Sequence, residues 1–219
     1  EQPTAIIVVM VNEMSKGIPV YFAVACAFSW LLGLIAFVVD APPLARTGLY
    51  ALYMLGPALG AIAAQRVRGE PVLSTLGVRL EPNRWYLVAW LAPPVYAFVA
   101  GAVSLAFPGV TPAFDFSGFL ERIASGLTPE QLEQATTKLH AMPPLALVAL
   151  LLVQALVAGI SINALFAFGE ELGWRGFLFV RRVPPIVVGI AWGLWHAPII
   201  LQGHNYPQHP VVGVLWMTM

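Results

Sequence analysis

The chain has 219 residues, 59 % of them hydrophobic and 10 % charged, with a mean hydropathy of +0.79. A soluble domain carries about 25 % charged residues, so this composition argues against a water-soluble globule. Eleven basic and eleven acidic side chains cancel, so net charge points to no nucleic acid or other acidic partner, and the lone Cys26 excludes a disulfide framework or thiolate metal cage within one chain.

In chain order, the sequence begins Glu1-Gln2-Pro3, and Met14-Ser15-Lys16-Gly17 reads as a native start, which makes 1–15 an N-terminal extension. The first apolar run, Ile18–Val39, is too long for a signal-peptide core and no small-residue cleavage site follows it. Leu49–Ala64 and Trp85–Leu105 come next, with Trp85 and Tyr86 after Arg84 as an interfacial aromatic anchor. The stretch 107–144 is too polar to span. Within it, Thr128-Pro129-Glu130-Gln131 has capping-box spacing with Pro at the first helical position. Leu132, Ala135 and Leu139 then share one face, which predicts an amphipathic helix on the outer membrane surface, either a plain surface element or a lid. Leu145–Phe168 and Ile186–Leu201 are further spans, and Val211 onward opens a sixth with no polar stop, so the parent protein is expected to continue past Met219.

None of these runs alternates strictly, and backbone in lipid must be satisfied internally, so helices are expected rather than a barrel. The fold class that follows is all-α: a polytopic transmembrane helix bundle of at least five spans plus a truncated sixth, with an interfacial amphipathic helix. It forms a single membrane-embedded domain over 1–219, with the chemistry in 143–210. Seven Lys and Arg residues (Lys16, Arg66, Arg68, Arg79, Arg84, Arg181, Arg182) collect on one side, against three (Arg46, Arg122, Lys138) on the other. The positive-inside rule then puts the N-terminus in the cytoplasm, most simply of a plasma (inner) membrane.

One group of charges breaks the pattern. Gly169-Glu170-Glu171-Leu172-Gly173-Trp174-Arg175-Gly176 follows an apolar run without interruption and continues into Phe177–Val180, as one helix. An ionisable group in the membrane costs about 2.5–3.5 kcal/mol on insertion scales and is a functional candidate by default. Glu171 and Arg175 are four apart in the favourable order, so they neutralise each other, in a site expected to be buried. Glu170 lies about 100° round the helix, with Trp174 above it, and is the carboxylate left to handle a proton. In the next span, Gly189 and Gly193 form a GxxxG face bordered by His196, and Gly169 and Gly173 repeat that spacing beside Glu170. The two faces are expected to pack on each other and bring Glu170 to His196. Pro198 is expected to free the Leu194 carbonyl and open a cavity.

At these residues the chain resembles the CAAX-protease and bacteriocin-processing family of intramembrane proteases, related to the type II CAAX prenyl endopeptidase. That family carries Glu-Glu-x-x-x-Arg, Phe-x-x-x-His and His-x-x-x-Asn/Asp on separate helices. Glu170 to Arg175 matches the first, and Trp192 to His196 matches the second with Trp for Phe. The resemblance covers mainly 143–210, and Met54–Ala64 with Pro57 is similar to an earlier family helix. It implies an endopeptidase in which Glu170 and His196 activate a water, while Glu171 and Arg175 position Glu170. No cofactor and no metal are implied; the partners are a peptide or protein substrate near the membrane and the bilayer itself. The third motif is missing on any helix. His204-Asn205-Tyr206-Pro207-Gln208 has Gln for Asn and sits in a loop, so the motif is expected beyond Met219 and the chain as given would be a weak catalyst or none.

Two other classes stay open on these residues. A zinc-dependent intramembrane peptidase would use Glu170, His196 and a third ligand, although no His-Glu-x-x-His is present and catalytic zinc takes three protein ligands. A non-catalytic scaffold, immunity protein or transporter would use Glu170 for binding or proton transfer, although no inverted repeat is visible.

Overall fold

The structure, a computed structural model, describes residues 17–112, 117–124 and 127–219; the proposed start at Met14 and the charge of Lys16 lie outside them. The described residues are helical, with no strand among them. They form two compact units, one of residues 17–41, 45–80 and 165–219, the other of 42–44 and 81–164.

Helix α1 (Ile18–Val38) opens the first unit, followed by α2 (Pro43–Tyr53) and α3 (Gly56–Arg68). The expected Leu49–Ala64 span falls in Leu44–Arg68, broken by a turn at Met54-Leu55. Pro57 accounts for the break, because it has no N–H for the Tyr53 carbonyl four residues before it. The Ser29 hydroxyl donates to that carbonyl instead, at 2.8 Å, which ties α1 to the break. Small residues let the backbones meet. A Cβ on Gly60 would lie 2.6 Å from the Tyr21 carbonyl oxygen, and one on Gly56 would lie 2.8 Å from that of Ala25.

After the short α4 (Val72–Thr75), the unit resumes at the end of α9 (Ile162–Glu171). The chain then becomes π-helical over Leu172–Phe179. This departs from the expected continuous α-helix. The segment holds two glycines, and both make close approaches: a Cβ on Gly173 would sit 2.5 Å from Pro57 Cβ, and one on Gly176 would sit 2.9 Å from the Leu76 carbonyl oxygen. Below it, Tyr21 stacks on Phe177 with centroids 5.0 Å apart. Arg181 is buried, lies 3.8 Å over the Phe177 ring and donates to Glu70 Oε2 at 3.0 Å, to Gln65 Oε1 and to the Phe177 carbonyl. A buried guanidinium needs such partners. The unit ends with α10 (Pro185–Leu201) and α11 (Pro210–Met217).

The second unit holds α5 (Arg84–Ser104), α6 (Ser117–Ala124), α7 (Pro129–His140) and α8 (Pro144–Gly159). Asn83 caps α5 by accepting from the Trp85 N–H at 2.9 Å, and Arg84 lies 5.4 Å over the Trp85 ring. Trp90 donates from its indole to the Leu156 carbonyl at 2.8 Å, joining α5 to α8. The expected capping box is present on α7, with the Gln131 N–H donating to Thr128 Oγ1 and Gln131 Oε1 accepting from the Thr128 N–H. Leu132, Ala135 and Leu139 are half-buried while Glu133, Gln134 and Lys138 are exposed, as the predicted face requires.

The expected span Leu145–Phe168 is not one helix. It stops at Gly159 and restarts at Ile162. The Ser161 hydroxyl donates to the Val157 carbonyl at 2.6 Å, and Gly159 is a poor helix former. By length and composition, three helices can cross a membrane (Ile18–Val38, Leu44–Arg68 and Arg84–Ser104), or up to four if the bent pair Pro129–His140 and Pro144–Gly159 is one crossing.

Candidate functional site

Glu170 lies in the last turn of α9 and is buried, with 7 % of its surface exposed. A carboxylate so placed needs donors. Trp192 of α10 supplies one: its indole Nε1 donates to Glu170 Oε2 at 2.9 Å. One turn further along α10, His196 Nδ1 lies 2.9 Å from the Trp192 carbonyl oxygen. A carbonyl only accepts, so Nδ1 carries the proton and, in the neutral ring, Nε2 keeps a free lone pair. Trp192 therefore holds both candidate reacting groups, Glu170 by its side chain and His196 by its backbone.

Aromatic rings enclose this arrangement. Trp174, fully buried, stacks on Trp192 at 6.0 Å and meets Trp195 edge-on at 5.8 Å. Trp195 in turn meets His196 at 4.6 Å, nearly perpendicular. The Tyr21 hydroxyl and the indole N–H groups of Trp174 and Trp195 are buried donors with no partner among the described residues. Donors in that state are the ones that a buried water would satisfy.

Glu171 and Arg175 form the predicted ion pair. The pair is not buried, in contrast to the expectation from sequence. The Arg175 side chain is 60 % exposed and that of Glu171 37 %, because the helix face carrying them turns away from the packing of Gly173 on Pro57. Arg175 still reaches the site, with its guanidinium 6.0 Å from the Trp192 ring centre.

The glycine faces work differently from the expectation. Gly169 and Gly173 do not receive α10. A Cβ on Gly169 would meet Leu55 Cδ2 at 3.0 Å, and one on Gly173 would meet Pro57. Gly193 lies against α11, where a Cβ would sit 2.5 Å from the Met217 carbonyl oxygen, while Gly189 has nothing within 4 Å. Indole contacts, not glycine contacts, bring α10 to Glu170. Spacing alone cannot tell which neighbour a small-residue face receives. Trp192 was legible as an aromatic of the second motif, but its N–H donor role was not.

Pro198 lies inside α10 and offers no N–H to the Leu194 carbonyl. Helix α10 runs through it to Leu201. The neighbouring Trp195 carbonyl takes side-chain donors, from Trp30 Nε1 at 3.1 Å and from the Tyr53 hydroxyl. His204 sits in the loop after α10, edge-on to Tyr50 at 5.1 Å, and its N–H donates to the Ile199 carbonyl at 3.1 Å. Among the described residues, no three His, Cys, Asp or Glu side chains converge as a metal-ligand set. No family model, no curated protein and no solved structure matches the chain.

Proposed function

We propose that the protein is an intramembrane endopeptidase of the CAAX-protease and bacteriocin-processing type, working through a water activated by Glu170 and His196. The observation that carries the reading is the double hold of Trp192 on these two groups. In the reaction, a water gives a proton to Glu170 as its oxygen attacks the peptide carbonyl. The C–N bond then breaks, and the proton passes from the carboxyl to the leaving amine, which leaves one new carboxyl and one new amine. His196, with Nδ1 bonded to Trp192, offers Nε2 as an acceptor for the same water. Glu171 and Arg175 act from outside, holding the helix turn and the open face of Trp192. A zinc mechanism would need a third ligand beside Glu170 and His196.

In this reading α1, α2–α3, α5, α8–α9 and α10 are five crossings and α11 begins a sixth, in a plasma membrane with the N-terminus in the cytoplasm. Helix α7 lies on the opposite surface. The substrate is a peptide or a protein segment at the membrane.

Glu170→Gln in the intact protein tests the function. Gln keeps the shape and still accepts from Trp192, but takes no proton. Peptide hydrolysis should fall by about 10² to 10⁴, the usual range for loss of a general base, with expression and melting temperature unchanged. His196→Ala should cost a comparable factor. A Glu170→Gln protein that cleaves at the parental rate would mean that the carboxylate is structural.

A further inference from the structure

Within the second unit, α5 and α8 part to leave a groove of about 630 Å³, a size in the roughly 300–1,000 Å³ range of ligand sites. It follows α5 from Ala89 to Phe98 and α8 from Val148 to Gly159, about 14 and 17 Å of helix. Its two ends differ. Phe98, Val148 and Leu151 make one end apolar. At the other, Pro93 and Pro94 stand inside α5 and give no N–H to the Ala89 and Trp90 carbonyls four residues before them. All four of these residues line the groove. Gly159 closes the last turn of α8, where carbonyls have no helical donor. Two carbonyls of that turn take side-chain donors, Leu156 from the Trp90 indole at 2.8 Å and Val157 from the Ser161 hydroxyl at 2.6 Å. Asn163 adds an amide, which both donates and accepts. No charged residue lines the groove.

We propose that this groove binds a lipid alcohol, an uncharged amphiphile with one hydroxyl at the end of a long apolar body. The hydroxyl donates to the Ala89 or Trp90 carbonyl and accepts from the Asn163 amide, and the body runs between α5 and α8 toward Phe98. The head follows from the polar end, because a hydroxyl both donates and accepts. A sulfate or phosphate head only accepts, and would face carbonyl oxygens with no cation beside it. An ammonium donates, but would be buried without a counter-ion. The acyl chain of an ordinary phospholipid fills the apolar end and leaves the oxygens without donors, which is costly away from water. The body follows from the rest of the lining, which is apolar over the length of both helices. The inference does not rest on the peptidase reading.

Photo-crosslinking of the intact protein in phosphatidylcholine nanodiscs tests this. The probe is hexadecanol with a diazirine at mid-chain. The other arms carry the same diazirine chain as hexadecyl methyl ether, which lacks the donor, as hexadecyl sulfate, which is charged, and within a phosphatidylcholine. The alcohol should mark Phe98 and Leu151, and plain hexadecanol should displace it. Asn163→Leu removes the amide, and Pro93→Ala with Pro94→Ala gives both carbonyls a helical N–H. Each change should lower capture of the alcohol about fivefold, as loss of one hydrogen bond does, and leave the weaker capture of the ether unchanged. Ala97→Trp fills the groove and should abolish the marking; if that variant melts lower than the parent, Ala155→Trp replaces it. Equal capture of alcohol, ether and phosphatidylcholine would make the groove an ordinary lipid-facing surface and overturn the proposal. Marking that persists when the groove is filled would overturn it as well.

Discussion

The indole N–H of Trp192 meets Glu170 Oε2 at 2.9 Å, so the one buried carboxylate of the α9 turn is held by a residue 22 positions later on another helix. The same indole stacks on Trp174 and lies under the Arg175 guanidinium. Donor, ring face and backbone carbonyl of one residue are each in use, and they can be separated by substitution.

Trp192→Phe keeps a ring and deletes the donor. The ring is the residue type that the second motif carries in the family the chain resembles, so the fold should persist, with a melting temperature within a few degrees of the parent. A hydrogen bond to a charged group contributes about 1.5–3 kcal/mol, so hydrolysis should fall about 10- to 100-fold. Trp192→Leu should lose the stacking on Trp174 as well and melt lower. A Phe variant as active as the parent would strip the N–H of its role.

The exposed setting of Glu171 and Arg175 changes what their substitution should do. For a pair buried together, loss of one partner costs about 3–5 kcal/mol; for an exposed pair the cost is about 1 kcal/mol or less. With Arg175 60 % exposed and that face read as meeting water, Glu171→Gln should leave folding yield and melting temperature nearly unchanged, and any loss should appear in rate; a face that meets acyl chains would instead lose folding yield. Denaturation in detergent, run beside a peptidase assay, checks both. A collapse in folding yield would place the pair in a drier setting.

Two glycines of the expected packing faces, Gly173 and Gly189, should respond oppositely to one methyl group. On Gly173 it would lie 2.5 Å from Pro57 Cβ and 2.6 Å from the Pro57 carbonyl oxygen, and overpacking of this kind costs about 1–3 kcal/mol. On Gly189 it meets nothing within 4 Å, so Gly189→Ala should be neutral or stabilising by up to about 1 kcal/mol from helix propensity. Thermal melting of the two variants gives the sign directly.

Outside the apolar helices, the clamp around Arg181 should make stability fall with acid. A hydrogen bond from Arg68, and the charges of Arg68 and Arg181, hold the Glu70 carboxyl below the usual glutamate range. A carboxylate depressed on folding adds stability that is present above its unfolded value and is lost as pH falls through the folded one. Melting temperature should therefore drop as pH passes below the ordinary glutamate range. Glu70→Gln should start lower and lose part of that dependence. A Gln variant with the parental acid profile would show that the clamp adds nothing.

Local features were legible and distant pairings were not. Thr128 and Gln131 predict their own capping box, and Glu171 and Arg175 their own ion pair, because both lie within one turn. Ser29 with Tyr53, and Arg181 with Glu70, are 24 and 111 residues apart. Nothing in the local pattern of either partner names the other. Pro57 was visible, but the donor that serves its orphaned carbonyl comes from α1. Arg181 read as a loop charge, since sequence shows a charge and not what folds over it.

The π-helical stretch after Glu171 has a consequence for insertions and deletions. A wider turn fits more residues into the same rise than an α-helix would, so the segment behaves as a store of spare chain. Removing one residue between Leu172 and Phe179 would let it tighten to ordinary pitch, and the change of turn would absorb the loss. Residues beyond the segment, Arg181 among them, would keep about the same angular position toward Gln65 and Glu70. The same deletion in the α-helical part of α9 has no such slack and would rotate everything beyond it by about 100°.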